Sequence, residues 1–258
     1  MGLPELDLTG QRAVVVGGTS GIGLALALGL ARAGADVAVA GRRLALAEDA
    51  TRQITAMGRR GVAAAADVTD RASLEALRQT VEQALGEVEI LLNCAGYTRR
   101  RATLDLPREE WQGILDTNLT GTLLACQVFG RGMLERGYGR IINIGSLTSF
   151  ISMYEVAAYS ASKAAVASLT RSLAIEWARR GVTVNAIAPG VFRTDINREL
   201  LDGTARGQEL LLRTPMGRFG KVEELVGAAV FLASRAAGFV TGHVLAVDGG
   251  FLASGVNQ

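Results

Sequence analysis

A single histidine, His243, stands in a chain of 258 residues. That scarcity argues against a His-based nucleophile triad and against the usual His/Cys zinc sites, so no metal is expected. Cysteine is nearly as rare. Cys94 and Cys126 both lie in apolar surroundings without metal-site spacing. No disulfide framework is expected, and a reducing, cytoplasmic compartment is the simpler assumption. Lysine occurs only at Lys163 and Lys221; arginine supplies the remaining positive charge. The net charge of +2 is too small to imply a nucleic-acid or membrane-surface partner. No run reaches the ~18 apolar residues that a membrane helix requires. The apolar stretch from Gly21 to Ala33 has no basic region before it and follows a glycine-rich turn, so a signal peptide is not expected either.

What the chain has in quantity is apolar residues, at 49%, and 32 glycines, which suit a large buried sheet with many turns. Short β-branched runs alternate with helical stretches along its length. Strands are expected at Arg12 to Val16, Val37 to Ala40, Gly61 to Ala66, Val88 to Asn93, Arg140 to Ile144, Val182 to Ile187 and Val244 to Val247. Thr69 or Asp70 is expected to cap the helix that ends near Leu85. One long helix is expected from Pro107 to about Arg136, one from Ala157 to Ala178, and one from Lys221 to Ser234. Alternation of this kind predicts an α/β fold: a single doubly wound, Rossmann-type domain over residues 1–258, with about seven parallel strands and helices on both faces. Residues 191–216 have broken periodicity and read as a mobile substrate-binding insertion.

Tyr159 and Lys163 are four residues apart in an Ala-rich segment free of proline, which places both on one helix face. A free phenol titrates near ~10 and is a poor base at neutral pH. A neighbouring ammonium favours the phenolate. Lowering the phenol by ~3 units needs about 4 kcal/mol, which a fixed Lys and a cationic cofactor ring in a dry site would supply. Ser146 follows the apolar run Ile141 to Ile144 and should sit at the carboxyl tip of a buried strand, where open α/β sheets bind ligands. Alone, the Tyr–Lys pair also arises by chance in Ala-rich helices.

The first strand runs into Gly17-Gly18-Thr19-Ser20-Gly21-Ile22-Gly23, followed by a helix. Strand, tight glycine turn and helix N-terminus are what a dinucleotide pyrophosphate needs. The second strand ends at Gly41-Arg42-Arg43 without the acid that would bind the ribose hydroxyls of NAD. Arg42 could instead pair with a 2′-phosphate. NADP is therefore expected, with NAD as the alternative, and with both arginines as solvated helix-start charges as the plainer account.

Gly17 to Gly23, Asn93-Cys94-Ala95-Gly96, Asn118, Ser146, Tyr159-x-x-x-Lys163, Pro189-Gly190 and the closing Val247-Asp248-Gly249-Gly250 together resemble a classical short-chain dehydrogenase/reductase, in order and over nearly the whole chain. The resemblance implies a catalytic tetrad. Tyr159 would exchange a proton with the substrate oxygen, and Ser146 would hydrogen-bond that oxygen. Lys163 would lower the phenol pKa and hold the nicotinamide ribose. Asn118 would anchor a water in a proton relay, or simply bond a nearby backbone group. Asn93, Ala95 and Gly96 would border the cofactor. Asp67 and Val68 match positions that contact adenine, although Asp67 also suits a plain turn. Pro189 to Thr194, including Val191, matches the segment over the nicotinamide carboxamide. Two departures, Val16 for the usual Thr and Cys94 for the usual Asn, leave the tetrad untouched. The resemblance also implies a homotetramer.

The substrate end says less. Arg99-Arg100-Arg101 follows Gly96 on a loop that should border the cleft, as a carboxylate clamp or as solvated charge. The Ala-Gly-x-x-Arg-Arg spelling and the tail from Asp248 to Gln258 look like the sugar-acid dehydrogenases of the family. The leading expectation is oxidation of a secondary hydroxyl on a sugar acid or polyol, with Arg99 or Arg100 holding the carboxylate. Tyr154 and Phe192 would help wall the pocket. A 3-oxoacyl-thioester reductase and a non-catalytic nucleotide sensor are the alternatives.

Overall fold

The computed structural model describes residues 3–194 and 198–255. Seven strands form one all-parallel sheet: β1 (Arg12–Val16), β2 (Asp36–Gly41), β3 (Gly61–Ala65), β4 (Ile90–Asn93), β5 (Gly139–Ile144), β6 (Val182–Pro189) and β7 (Val244–Val247), in the order β3-β2-β1-β4-β5-β6-β7. The strand order reverses between β1 and β4, which opens a crevice beyond their carboxyl ends. The expected seven-strand, doubly wound domain is what the chain adopts.

Side chains alternate across the sheet with a period of two. Ala13 and Val15, with Val37, Val39, Ile90 and Leu92, face one core, against α1 (Gly21–Arg32), α2 (Leu44–Ala56) and the later helix Val226–Ala233. Val14 and Val16, with Ala38, Ala40 and Leu91, face the other, against α3 (Arg71–Leu85) and α5 (Gly121–Arg136). Burial on both faces accounts for strands that read as continuous apolar runs. Asp70 is the residue that caps α3, its carboxylate accepting from Ala72 N at 2.9 Å.

Three expectations need correction. The single helix expected from Pro107 to Arg136 is α4 (Arg108–Leu115) and α5, joined by a π-helical turn over Asp116–Thr120. Such bulges insert a residue into the helical ladder, occur often at functional sites, and leave no mark on apolar periodicity. Past α6 (Ala157–Trp177), the segment expected to be irregular contains α7 (Arg198–Leu201) and α8 (Ala205–Leu212). Both are too short for a 3.6-residue period to register. Thr204 caps α8, accepting from Gly207 N at 2.9 Å. The helix expected from Lys221 begins as a 3-10 turn, Val222–Leu225, and becomes α-helical only in α9 (Val226–Ala233). The tail residues Val256 to Gln258 lie outside the described residues, as do residues 195–197 of the expected insertion.

Candidate active site

The glycine turn between β1 and α1 is shaped by contacts that exclude side chains. Gly17 has φ +82° in the left-handed region, and a Cβ on it would lie 2.5 Å from Ala95 N. A Cβ on Gly23 would sit 2.1 Å from the Gly17 carbonyl oxygen. The turn is thus pressed against the Cys94 to Gly96 loop while α1 begins directly behind it. Ser20 occupies the N-cap position in extended conformation and its side chain makes no capping bond. The first-turn N–H groups of α1 are left for an anion. A Cβ on Gly21 would meet the Thr194 methyl at 3.6 Å, so the chain leaving β6 through Pro189 and Val191 passes over this turn. Ile22, in the first turn of α1, is half-buried and packs against the core.

At the tip of β2, Thr19 packs so closely that a Cβ on Gly41 would be 2.8 Å from its methyl. Arg42 and Arg43 are exposed, and no ion pair to either occurs among the described residues. Asp67, two residues past β3, feels the Arg42 charge. Its carboxyl is held below the usual range first by the Thr69 backbone N–H, then by the Thr69 hydroxyl, with a smaller contribution from the Arg42 charge. Both Thr69 bonds go to Asp67 Oδ1, at 2.9 and 2.7 Å, so this carboxylate is spent on its own turn. Val68 is buried, close enough to α5 that a Cβ on Gly121 would be 2.7 Å from it.

The tetrad residues come together at the carboxyl end of β4 and β5. Ser146 lies just past β5 and caps the short turn Leu147–Ser149; its hydroxyl accepts from Thr148 N at 3.2 Å. Tyr159 and Lys163 project from the first turns of α6. The Lys163 ammonium is 5% exposed, donates to the Ile144 carbonyl at 2.7 Å, and lies 5.8 Å from the Tyr159 ring centre. Asn118 is fully buried within the π-helical turn. It grips the Tyr97 backbone on both sides, accepting from Tyr97 N at 2.9 Å and donating to Tyr97 O at 3.0 Å, and it also donates to Ser162 Oγ at 3.0 Å. A Cβ on Gly96 would come within 3.1 Å of Asn118 Oδ1 and 3.5 Å of Lys163 Nζ, so a side chain there would press on both groups. Asn93 turns away from the cleft. Its amide donates to Asn143 Oδ1 at 2.9 Å, and Asn143 in turn donates to Thr170 at 3.0 Å, forming a buried polar strut beneath the site.

Burial shifts the two titrating groups in opposite directions. It pushes the Lys163 ammonium down to about 8, against a weaker opposing pull from Cys94. It pushes the Tyr159 phenol up, and the approach of the Ser146 hydroxyl opposes that rise. The expected lowering of the phenol is therefore not a property of the chain alone. Burial pushes the Cys94 thiol up to about 12, which disfavours its thiolate at neutral pH.

At the substrate end the three arginines part company. Arg101 pairs with Glu110 at 3.2 Å, Arg100 pairs with Glu155 at 2.6 Å, and Arg99 has no ion pair among the described residues. Glu155 has φ +63°, the one non-glycine residue in the left-handed region among those described. Its carbonyl accepts from Arg101 N at 2.8 Å, so the arginine loop and the loop before α6 are stitched together. Tyr154 stands 74% exposed beside them, and its carbonyl accepts from Arg206 of α8 at 3.3 Å. Phe192 does not join this wall. It is 5% exposed and packs in the core against Gly220, because the chain turns inward on leaving β6. Glu155 and the hydroxyls of Ser149 and Ser162 escape a reading by residue type, since each has a partner distant in sequence.

Residues 16–252 match a short-chain dehydrogenase family model described as Enoyl-(Acyl carrier protein) reductase. The gluconate 5-dehydrogenase of Gluconobacter oxydans is 42% identical over 255 residues, covering 98% of this chain and all of the relative. This chain belongs to the short-chain dehydrogenase/reductase family. Members of that family are NAD(P)-dependent oxidoreductases acting on CH–OH groups. A 2-dehydro-3-deoxy-D-gluconate 5-dehydrogenase from Bacillus subtilis is 42% identical over 248 residues, covering 95% of this chain and 96% of the relative. Among solved structures, a gluconate 5-dehydrogenase from Burkholderia cenocepacia in complex with NADP and tartrate superposes with a TM-score of 0.94 at 40% identity, covering 97% of this chain and 98% of that one. No helix among the described residues is long and apolar enough to cross a membrane.

Proposed function

We propose that the protein interconverts a secondary alcohol and a ketone on a sugar acid, using NADP. One observation carries this reading: Ser146, Tyr159, Lys163 and Asn118 converge beside a glycine cradle whose ribose end offers unpaired Arg42 and Arg43 in place of an acid. The close fit of Gly17 against Ala95 and the free N-terminus of α1 suit a pyrophosphate, and Arg42 suits a 2′-phosphate. The dinucleotide supplies or accepts the hydride. Everything else falls to the chain. Ser146 holds the substrate oxygen by a hydrogen bond that strengthens as charge develops there. Tyr159 passes its proton to that oxygen in reduction and removes it in oxidation. Lys163, fixed by Ile144, stands 5.8 Å from the Tyr159 ring centre, where with the cofactor bound its charge would favour the phenolate. The Asn118 side chain is committed to Tyr97 and Ser162, so anchoring a relay water would fall to its main chain.

Arg99, the arginine without an ion pair, is the better-placed carboxylate anchor; Arg100 would first have to leave Glu155. The names of the similar proteins, gluconate and 2-dehydro-3-deoxy-D-gluconate dehydrogenases, point to the same substrate class. Residues 191–216, carrying α7 and α8, would close over the substrate and exclude water. We also place the enzyme in the cytoplasm, where its free thiols stay reduced, and expect a homotetramer, for which exposed Ile175 and Phe239 offer apolar contacts.

Initial rates followed by nicotinamide absorbance test the proposal, with NADP and NAD each paired with gluconate, 5-ketogluconate, uncharged polyols and an acetoacetyl thioester. Turnover of the sugar acids with NADP is expected. Turnover confined to the thioester would transfer the assignment to a 3-oxoacyl reductase. No turnover, with retained nucleotide binding, would favour a nucleotide sensor.

A further inference from the structure

Two serines outside the tetrad each tie two of its members together. Ser149 Oγ accepts from Ser146 N at 3.2 Å and donates to the Lys163 carbonyl at 2.8 Å. Ser162 Oγ accepts from Asn118 Nδ2 at 3.0 Å and donates to the Tyr159 carbonyl at 2.7 Å. Each hydroxyl is used once as acceptor and once as donor, and each joins an element outside α6 to the helix that carries Tyr159 and Lys163. Ser149 belongs to the turn after β5, and Ser162 reaches the π-helical turn between α4 and α5. We infer that Ser149 and Ser162 are positioning residues, which hold Ser146 and Asn118 in register with Tyr159 and Lys163.

The physical need is clear from where the four residues originate. Ser146 sits on a loop, Asn118 on an irregular helical turn, and the Tyr–Lys pair on a regular helix. Packing of apolar surfaces tolerates small slides between such elements, whereas paired hydrogen bonds fix distance and direction. A misplacement of about 1 Å in a reacting geometry costs on the order of a hundredfold in rate. Ser162 is fully buried, so its loss also leaves an Asn118 N–H short of a partner.

This inference rests on the tetrad reading above, and the experiment separates the two. Tyr159→Phe, Ser149→Ala, Ser149→Thr and Ser162→Ala are each purified and assayed for kcat, KM, NADP affinity and thermal midpoint. For Ser149→Ala and Ser162→Ala, kcat is expected to fall about tenfold or more with NADP affinity within about twofold of the parent. Ser149→Thr, which keeps a hydroxyl at a half-buried position, is expected to recover most of the rate. If Tyr159→Phe is inactive while both alanine variants keep the parental kcat, the positioning role is overturned and the tetrad stands. A lower thermal midpoint with unchanged kcat would likewise reduce the serines to structural groups. Full activity in Tyr159→Phe would instead overturn the tetrad reading itself. A rate loss in Ser149→Thr equal to that in Ser149→Ala would also count against the inference, because the hydroxyl would then not be what matters.

Discussion

The two ends of the crevice are built differently. In the buried half Asn118 places its amide donors on Tyr97 O and Ser162 Oγ, and Lys163 places one ammonium donor on the Ile144 carbonyl. At the other end Arg99, Arg100 and Tyr154 are exposed; the partner of Arg100 sits on a loop and that of Tyr154 on the short helix α8. A buried hydrogen-bonded group has one low-energy arrangement, because leaving it costs an unsatisfied polar atom. An exposed ion pair such as Arg100–Glu155 can exchange for water or for another anion at little cost. Rigidity where the chemistry is proposed to occur, and exchangeable charge at the proposed substrate end, is the arrangement expected of a fold that serves many substrates.

The contrast can be broken most sharply at Tyr159. Tyr159→Phe should lower kcat by about 10²- to 10⁴-fold, the usual share of a general acid–base, with NADP affinity nearly unchanged. Full turnover in a rate assay would remove the proton-transfer role. Arg42→Asp should come next, since hydrogen bonds to a charged group contribute about 1.5–3 kcal/mol. It should weaken NADP by about 10- to 100-fold and leave NAD almost untouched; equal losses in titrations of the two nucleotides would mean that Arg42 does not read the phosphate.

Smaller effects are expected at the substrate end. Arg99→Ala should raise KM for a sugar acid by about tenfold without changing KM for an uncharged polyol, and a parallel rise for both would remove the carboxylate contact. Glu155→Gln should sharpen the point by releasing Arg100, lowering KM for the acid if Arg100 can act as a second anchor. The least change is expected in the stability of the cofactor-free protein. Lys163 titrates at about 8 when folded and near ~10.4 when unfolded. Between those values the unfolded chain carries a proton that the folded chain has lost, so stability from this group rises with pH across the window. Thermal midpoints from pH 8 to 10 should show that rise in the parent and lose it in Lys163→Met.

Strands β1 and β7 begin and end where their residue types alone place them, and the glycine turn, the tip arginines and the spacing of Tyr159 and Lys163 were all readable from local chemistry. Each depends on neighbours a few residues apart, through pleat, turn or helical repeat. The direction of the Tyr159 shift was not readable in this way, because it is set by how much of the whole fold surrounds the phenol. Nor was the inward turn of Phe192, which follows from the room left beside Gly220. Arg100, Asn118, Ser149 and Ser162 each have at least one partner 14 to 55 residues away in sequence. Sequence by itself determined the fold and the family, and it singled out the residues proposed to react, since periodicity and short motifs record local geometry. Tertiary structure alone decided which arginine stays unpaired, where the helical ladder bulges at Asn118, and which hydroxyls bridge Ser146 to Lys163 and Asn118 to Tyr159, since those depend on contacts between elements that no local pattern encodes.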